Sequence, residues 1–465
     1  IKTIDKNPDE IDEITTLEQY KFIKSNVLEN LDQNLINLEF IVEEGEKFYV
    51  DRINVFGNTI TSENVIRNQL MLDEGDPFSE ILVNKSINNI KSLNSFKQVN
   101  QRILTNEDNK TKTINIFLEE KPTGEIYASA GAGTSGASFG FGVKENNFLG
   151  NGIRLDTNAL ISTNQFKGKF SVTNPNFNNS DKSFFINIKA EETDKLKDFG
   201  YKTNKTGFSL GTNFEYLKDF NLGLSTSSFV EKMETDSTAS ASQQKQAGNY
   251  WDTFLKFNFD YDKRNQKFKT TDGFRSYYSI DLPLISDTNT LTNSYDYKVF
   301  NEFYENNITT FSISLSSANS ISDDDIKLSE RLFIPSRKLR GFETGKVGPK
   351  DGEDFIGGNY RTTFNAQTNI PKIFENAQNL ETIIFFDMAS LWGVDYNSSL
   401  DDGGKLRSSF GIGVDWYTVV GPLSFSITEV ITKEDILRCM MNRGMTFMSS
   451  PNFMQKKKRL LIEIF

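Results

Sequence analysis

The sequence predicts a mainly β protein. A transmembrane antiparallel β-barrel of about 16 strands follows a small β-α-α-β-β domain. Three observations predict it. From Gly124 onward, runs of about 10 residues alternate apolar and polar side chains, as strands with two different faces do. Short turns and long polar loops separate those runs. Aromatic content is 12%, with 40 Phe, while only 10 Pro occur, which suits long strands with interfacial girdles. The sequence has no run of about 18 apolar residues, so no transmembrane helix is expected. A hydrophobic content of 37% and a mean hydropathy of −0.47 suit a soluble protein and a barrel with a polar lumen equally well.

The 465 residues begin at Ile1 with no charged-then-apolar leader, which reads as a mature chain or a fragment. A net charge of −11 argues against nucleic acid as a partner, since its binders carry a basic patch. The single cysteine, Cys439, excludes an internal disulfide framework and a multi-cysteine zinc site. Histidine is absent, which removes the commonest general base and metal ligand. No metal site, cofactor or catalytic residue is expected, and an enzyme would have to run on carboxylates or lysine.

Residues 1–47 read as the end of a truncated unit. Leu17, Tyr20, Ile23, Val27 and Leu28 have helical spacing, and Asn37–Val42 reads as a strand. Residues 48–121 form the β-α-α-β-β domain. Its first strand stops at Gly57-Asn58. Ser62 caps a helix to about Met71, and Ser79 caps a second with the apolar stripe Ile81, Leu82, Val83, Ile87, Ile90 and Leu93. Phe96–Leu104 and Thr113–Glu120 supply the remaining strands.

Residues 122–465 are the barrel. Ile186 and Ile188 oppose Asn187 and Lys189. Phe208 and Leu210 oppose Ser209, and Trp251, Phe257 and Phe259 oppose Asp252, Lys256 and Asn258. About 15 candidate strands lie between Gly124 and Val430, and an even number near 16 closes a barrel. A large soluble β-sandwich or propeller is the competing architecture. From Cys439 the composition changes. Met440, Met441, Met445, Met448 and Met454 are five of the eight methionines, and Lys456–Arg459 is a basic run. A reading-frame or gene-end error past Asp435 is expected to explain residues 436–465, with Leu460–Phe465 still able to form a strand.

The sharpest stretch is a long loop at 321–357, with Arg340-Gly341-Phe342 followed by Gly357-Gly358-Asn359. Loops longer than about 12–15 residues are usually functional or disordered. An arginine and a phenylalanine separated only by glycine favour a held loop, although a solvated arginine is the plain alternative. Asp387, which interrupts Ile384–Met388, would be its partner if it points into the lumen.

LRGF, then GGNY, then FFDMASLW, in that order, resembles the outer-membrane protein insertase family, BamA and its relatives. Residues 48–121 are similar to that family's POTRA domain, and residues 1–47 to the end of a preceding one. The resemblance implies that Arg340, Gly341 and Phe342 form the tip of the sixth extracellular loop, folded into the lumen against Asp387 and Phe385. It implies a lateral seam between first and last strands, with Gly131, Gly133 and Gly136 at one side and Phe465 at the other. It implies an outer-membrane location with POTRA in the periplasm. The expected partners are unfolded outer-membrane clients, accessory assembly lipoproteins, periplasmic chaperones and outer-membrane lipid. Two residues depart from the family pattern: Ala389 stands where glycine is usual, and Gln367 where a second acid often helps to hold the arginine. A two-partner-secretion or autotransporter-assembly pore shares the same plan and is the alternative. A porin would lack the POTRA unit and the RGF loop.

Overall fold

The computed structural model describes residues 23–32, 35–44, 48–133, 136–267, 270–304, 306–322, 325–371, 379–396, 399–400, 404–418, 421–432 and 459–464. The chain divides into two compact units. One comprises residues 1–125 with 144–155 and 174–180, the other 126–143, 156–173 and 181–465.

In the first unit, β1 (Ile23–Asp32) pairs antiparallel with β2 (Leu35–Glu44). The helix expected from the spacing of Ile23, Val27 and Leu28 is therefore replaced by a hairpin, with Val27 opposite Phe40. Cross-strand pairing outweighs an ambiguous spacing. Residues 17–22 lie outside the described ones.

β3 (Tyr49–Phe56), β4 (Phe96–Asn106) and β5 (Thr111–Glu120) form a sheet of order β3-β5-β4, with β3 parallel to β5 and β4 antiparallel to it. Helix Glu80–Ser92 begins as expected, with Ser79 Oγ accepting from Leu82 N at 3.4 Å. The first helix is shorter than expected and spans only Glu63–Arg67. Beyond it the chain turns inward, where Met71 N donates to Ser86 Oγ at 2.8 Å. Ile53, Ile66, Ile90, Ile114 and Ile116 fill the space between sheet and helices. Each fully buried side chain of this size contributes about 1.5–3 kcal/mol.

Glu120 closes this domain at its end. Its carboxylate accepts from the Thr59 N–H (3.0 Å) and hydroxyl (2.6 Å), Ile60 N–H (2.9 Å) and Thr61 N–H (2.6 Å). Partial burial opposes its ionisation. The hydrogen bonds from Thr59, Thr61 and Ile60 outweigh that and hold its pKa down at about 2. The same compact unit contains Asn147, whose side-chain amide donates to Thr61 Oγ1 at 2.8 Å, and Gly150, whose carbonyl accepts from Ser62 N at 2.8 Å.

The large sheet has 16 strands. Its order follows the chain from β6 (Gly124–Gly133) and β7 (Gly136–Phe148) through β16 (Asn307–Ser320), then β19 (Tyr360–Ile370), β20 (Leu380–Trp392), β21 (Arg407–Thr418), β22 (Gly421–Thr432) and β23 (Arg459–Ile464). It is the transmembrane antiparallel barrel. Neighbours in the sheet order follow one another in the chain, and between β16 and β19 the long loop is inserted.

The two faces of the wall differ as the alternation predicts. Ile186 faces Leu210 and Ile188 faces Phe208 across β10 (Ser183–Lys195) and β11 (Tyr201–Leu217). All four are exposed to the outside, where lipid is the solvent. Between them Asn187 faces Ser209 on the inner side. There Ser171 Oγ donates to Asn187 Oδ1 at 2.6 Å and Asn187 Nδ2 donates to Ser209 Oγ at 3.3 Å, so the inner polar groups satisfy one another.

Of the expected seam glycines, Gly131 and Gly133 lie in β6, at one end of the sheet order. Gly136 belongs instead to β7, the second strand. The three glycines are thus shared between two strands. Phe465 lies outside the described residues.

Candidate functional site

Residues 365, 387 and 409 form a row across three adjacent strands: Asn365 of β19 faces Asp387 of β20, which faces Ser409 of β21. Period-two alternation puts Phe385 and Asp387 on the inner face, 1% and 0% exposed, while Ile384 points outward. The long loop between β16 and β19 meets this row. It carries a 3₁₀ turn, Ser336–Lys338, and a two-residue strand pair, Lys350–Asp351 with Asp354–Phe355.

Arg340 comes directly onto the row. Its Nε and Nη2 donate to the two oxygens of Asp387, each at 2.7 Å, and its backbone N–H adds a third bond at 3.1 Å. The guanidinium lies 3.5 Å from the centre of the Phe385 ring. Asn365 Nδ2 donates to Asp387 Oδ1 at 2.8 Å and to the Lys338 carbonyl at 2.9 Å. Ser409 Oγ donates to the Arg340 carbonyl at 2.7 Å. Bidentate charge-assisted geometry of this kind fixes orientation as well as contributing energy.

Gly341 has φ +86°, and a Cβ there would lie 2.7 Å from Thr428 Cγ2, so a side chain would meet both backbone strain and the wall. Phe342 packs against the buried group Ile334, Leu339, Val347, Ala389 and Leu391. Ala389, where glycine was expected, thus contributes its methyl to the loop's apolar seat. Gln367 lines the same cavity as Arg340, together with Asp415.

Gly357-Gly358-Asn359 forms the loop's return. Gly358 exchanges backbone hydrogen bonds with Leu332, at 2.8 and 3.0 Å. Its Cβ position would lie 2.7 Å from the Trp392 carbonyl oxygen. Asn359 is buried, and its side-chain oxygen accepts from Arg331 Nη1 at 2.9 Å.

Two further cations hold the loop, and neither stood out in the sequence. Arg331 pairs with Asp395 and lies 5.0 Å over the Tyr396 ring. Lys327, 1% exposed, pairs with Glu231 at 3.3 Å, with Asp252, and with Glu330 at 3.3 Å. The signal that could have found them is an acid at an inward-facing position of an alternating strand: Glu231 and Asp252 alternate with the exposed Val230 and Trp251. Among the described residues no cluster of acids, cysteines or histidines has the arrangement of a metal site.

The Omp85 superfamily domain description matches residues 147–438, and the POTRA description, surface antigen variable number repeat, matches residues 48–121. The chain belongs to the Omp85 superfamily. Over 413 residues it is 24% identical to the outer membrane protein assembly factor BamA of Neorickettsia risticii (strain Illinois), covering 86% of this chain and 54% of that protein. The Nitratidesulfovibrio vulgaris BamA is 22% identical over 418 residues, 87% of this chain and 51% of the relative. The chain thus spans about half the length of these curated relatives. Among solved structures, BamA from Haemophilus ducreyi lacking POTRA domains 1-3 shares the fold, with a TM-score of 0.71 at 23% identity over 93% of this chain and 91% of that one. CdiB from Acinetobacter baumannii gives a TM-score of 0.54 at 12% identity, covering 90% and 78%. This Omp85 protein is therefore an outer-membrane β-barrel with a periplasmic POTRA domain.

Proposed function

We propose that the chain is the barrel-end part of an outer-membrane protein assembly factor, which folds and inserts client barrels. The match to curated assembly factors over 86% of the chain carries this reading. The sheet order, which ends in β6 and β23, supports it physically. A client strand in lipid needs backbone partners, and the end strands of a sheet supply them. Gly131 and Gly133 weaken packing on β6 and favour its opening. The POTRA sheet has edges at β3 and β4, to which an extended client can add as a further strand. Unfolded clients, periplasmic chaperones, accessory lipoproteins and lipid are the partners this reading requires. Residues 1–47 would be the end of a preceding POTRA domain. The process makes and breaks no covalent bond, so no catalytic residue is assigned.

In this reading Arg340, Gly341, Phe342, Phe385 and Asp387 act as a clamp. They hold the long loop against β19–β21, two to four strands from β23 in the sheet order, so that this part of the wall stays rigid while the seam yields. Depletion of the gene followed by quantification of outer-membrane proteins tests the function. Broad loss of barrel proteins is expected. Loss of a single exported substrate, with other barrels intact, would instead assign a secretion pore of the same superfamily.

A further inference from the structure

Much of the outer face of the wall is apolar, with Ile186, Phe208, Ile384, Ile412 and Ile427 exposed on it. One patch departs from this. Across β15 (Thr290–Tyr304), β16 and β19, Asn293 faces Ser317 and Ser317 faces Tyr360. In the row beside them Tyr295 faces Leu315 and Leu315 faces Thr362. Leu315 and Tyr360 are 43% and 37% exposed, while Ser314, Ser316 and Thr363, of the opposite parity, are buried inside. Both rows therefore look outward, into lipid. The short side chains of Ser317 and Thr362 leave a groove of about 260 Å³, walled by Tyr278 and Tyr295 on one side and by Tyr360 and Trp392 on the other.

The groove carries hydrogen-bonding capacity that the protein does not use. The Tyr278 hydroxyl donates to Asn293 Oδ1 at 2.8 Å, and the Tyr360 hydroxyl to Asn319 Oδ1 at 2.6 Å. One N–H of the Asn293 amide reaches Ser317 Oγ only at 3.5 Å, beyond the usual range. Its second N–H, the Ser317 proton and the Thr362 hydroxyl have no acceptor among the described residues. In hydrocarbon an unmatched donor is costly, and polar side chains of spanning segments persist where a partner meets them.

Depth identifies that partner. Tyr360 opens β19 and Trp392 ends β20, and their rings stack with centres 5.8 Å apart. Such Tyr and Trp side chains sit at the level of the lipid headgroups. Asn293 and Ser317 lie near the same ends of β15 and β16, so the donors fall where the ester groups of a bilayer lipid meet its chains. A carbonyl oxygen only accepts, which is what three spare donors require. We propose that this groove binds one ester-linked acyl lipid, whose chain lies between Tyr295 and Trp392 and whose ester carbonyls accept from Asn293, Ser317 and Thr362. The inference rests on the barrel standing in lipid and not on the assembly function.

The test uses the full chain in vesicles of ether-linked dialkyl phosphatidylcholine, which lacks the ester carbonyls, with a small fraction of ester-linked diacyl phosphatidylcholine brominated on its chains. Bromine quenches nearby tryptophan fluorescence. Trp251→Phe with Trp416→Phe leaves Trp392 at the groove. Trp392→Phe with Trp416→Phe leaves Trp251, which is exposed on the outer face of β13 (Gly248–Asp262), away from the groove. At low fractions of the brominated ester lipid, Trp392 should be quenched severalfold more than Trp251. A brominated ether lipid should quench both alike. Ser317→Val with Thr362→Val, which keeps the shape and removes two donors, should reduce the excess at Trp392 severalfold. Heat-modifiability on gels checks that each variant is folded, and if the double variant is not, Ser317→Val alone should still lower the excess. Equal quenching of Trp392 and Trp251 by the ester lipid overturns the proposal, as does an excess unchanged in a folded donor variant. The same excess with the ether lipid overturns it too, because the chain alone would then account for binding. So does weaker quenching of Trp392 than of Trp251 by both lipids, which would mean that a protein surface, such as a second copy, covers the groove.

Discussion

The POTRA domain and the barrel invert each other. In the first, Ile66 and Ile90 are fully buried while charged residues such as Arg67 and Lys97 are exposed. In the second, Ile188, Phe208 and Trp251 are exposed on the outer face, while Asp387, Asp252, Glu231 and Lys327 are at most 1% exposed. Water selects the first arrangement by removing apolar area from solvent. Lipid around the outer face selects the second, and inner charges then persist only where each has a partner. One region is stabilised mainly by area, while the other, toward its interior, depends on matched pairs. Mutations should cost accordingly: gradually with volume in POTRA, and steeply with an unmatched charge in the barrel.

The largest expected effect breaks a pair. Asp387→Ala removes the acceptor of three bonds from Arg340 and one from Asn365, leaving a largely buried guanidinium unpaired. Such a loss costs about 3–5 kcal/mol. It should appear as a large drop in the temperature at which the folded barrel loses its shifted gel mobility. A cost below about 1 kcal/mol would mean that water screens the pair, and the contrast between the two regions would then be smaller than drawn.

A cavity in the area-driven region comes next. Ile90→Ala should destabilise POTRA by about 2–4 kcal/mol, read as accelerated amide exchange across β3–β5. The heat-modifiability of the barrel should stay within a few degrees of wild type. Equal loss in both regions would show that they do not unfold separately.

The same contrast explains what the sequence made legible. The wall could be read because one period-two signal fixes both strand and face: Phe385 and Asp387 turn inward because Ile384 turns outward. Arg340 could be read because glycine and phenylalanine next to it are out of place on a solvated loop. Lys327 and Arg331 could not, since their partners Glu231, Asp252 and Asp395 lie 96, 75 and 64 residues away, and an isolated lysine or arginine on a polar loop looks solvated. β1 was misread because Ile23, Val27 and Leu28 satisfy a helical spacing equally well until β2 pairs with them. That Gly136 starts a second strand was hidden because a run of small residues carries no alternation to mark where one strand ends.

The smallest expected effect lies where POTRA itself uses a pair-like device. Glu120 anchors the 59–61 turn through its carboxylate, and its pKa falls from the ordinary 4.5 to about 2. A group whose folded pKa is lowered contributes its full stabilisation above the unfolded value and loses it as pH falls through the folded one. The contribution should therefore be intact above about pH 5 and should decline as pH falls from there toward about 2. Glu120 is only partly buried, so solvent screening reduces its worth to about 1–2 kcal/mol. Glu120→Gln should remove most of that at pH 7. Amide exchange at Ile60 and Thr61 should then be several-fold faster than wild type at pH 7, and the difference should shrink as pH approaches 2, where the wild-type carboxylate is itself protonated. A difference that did not shrink would assign the anchor to shape and neutral hydrogen bonding rather than charge. POTRA would then rest on area and neutral hydrogen bonds without charge, and the contrast with the barrel would be sharper than drawn.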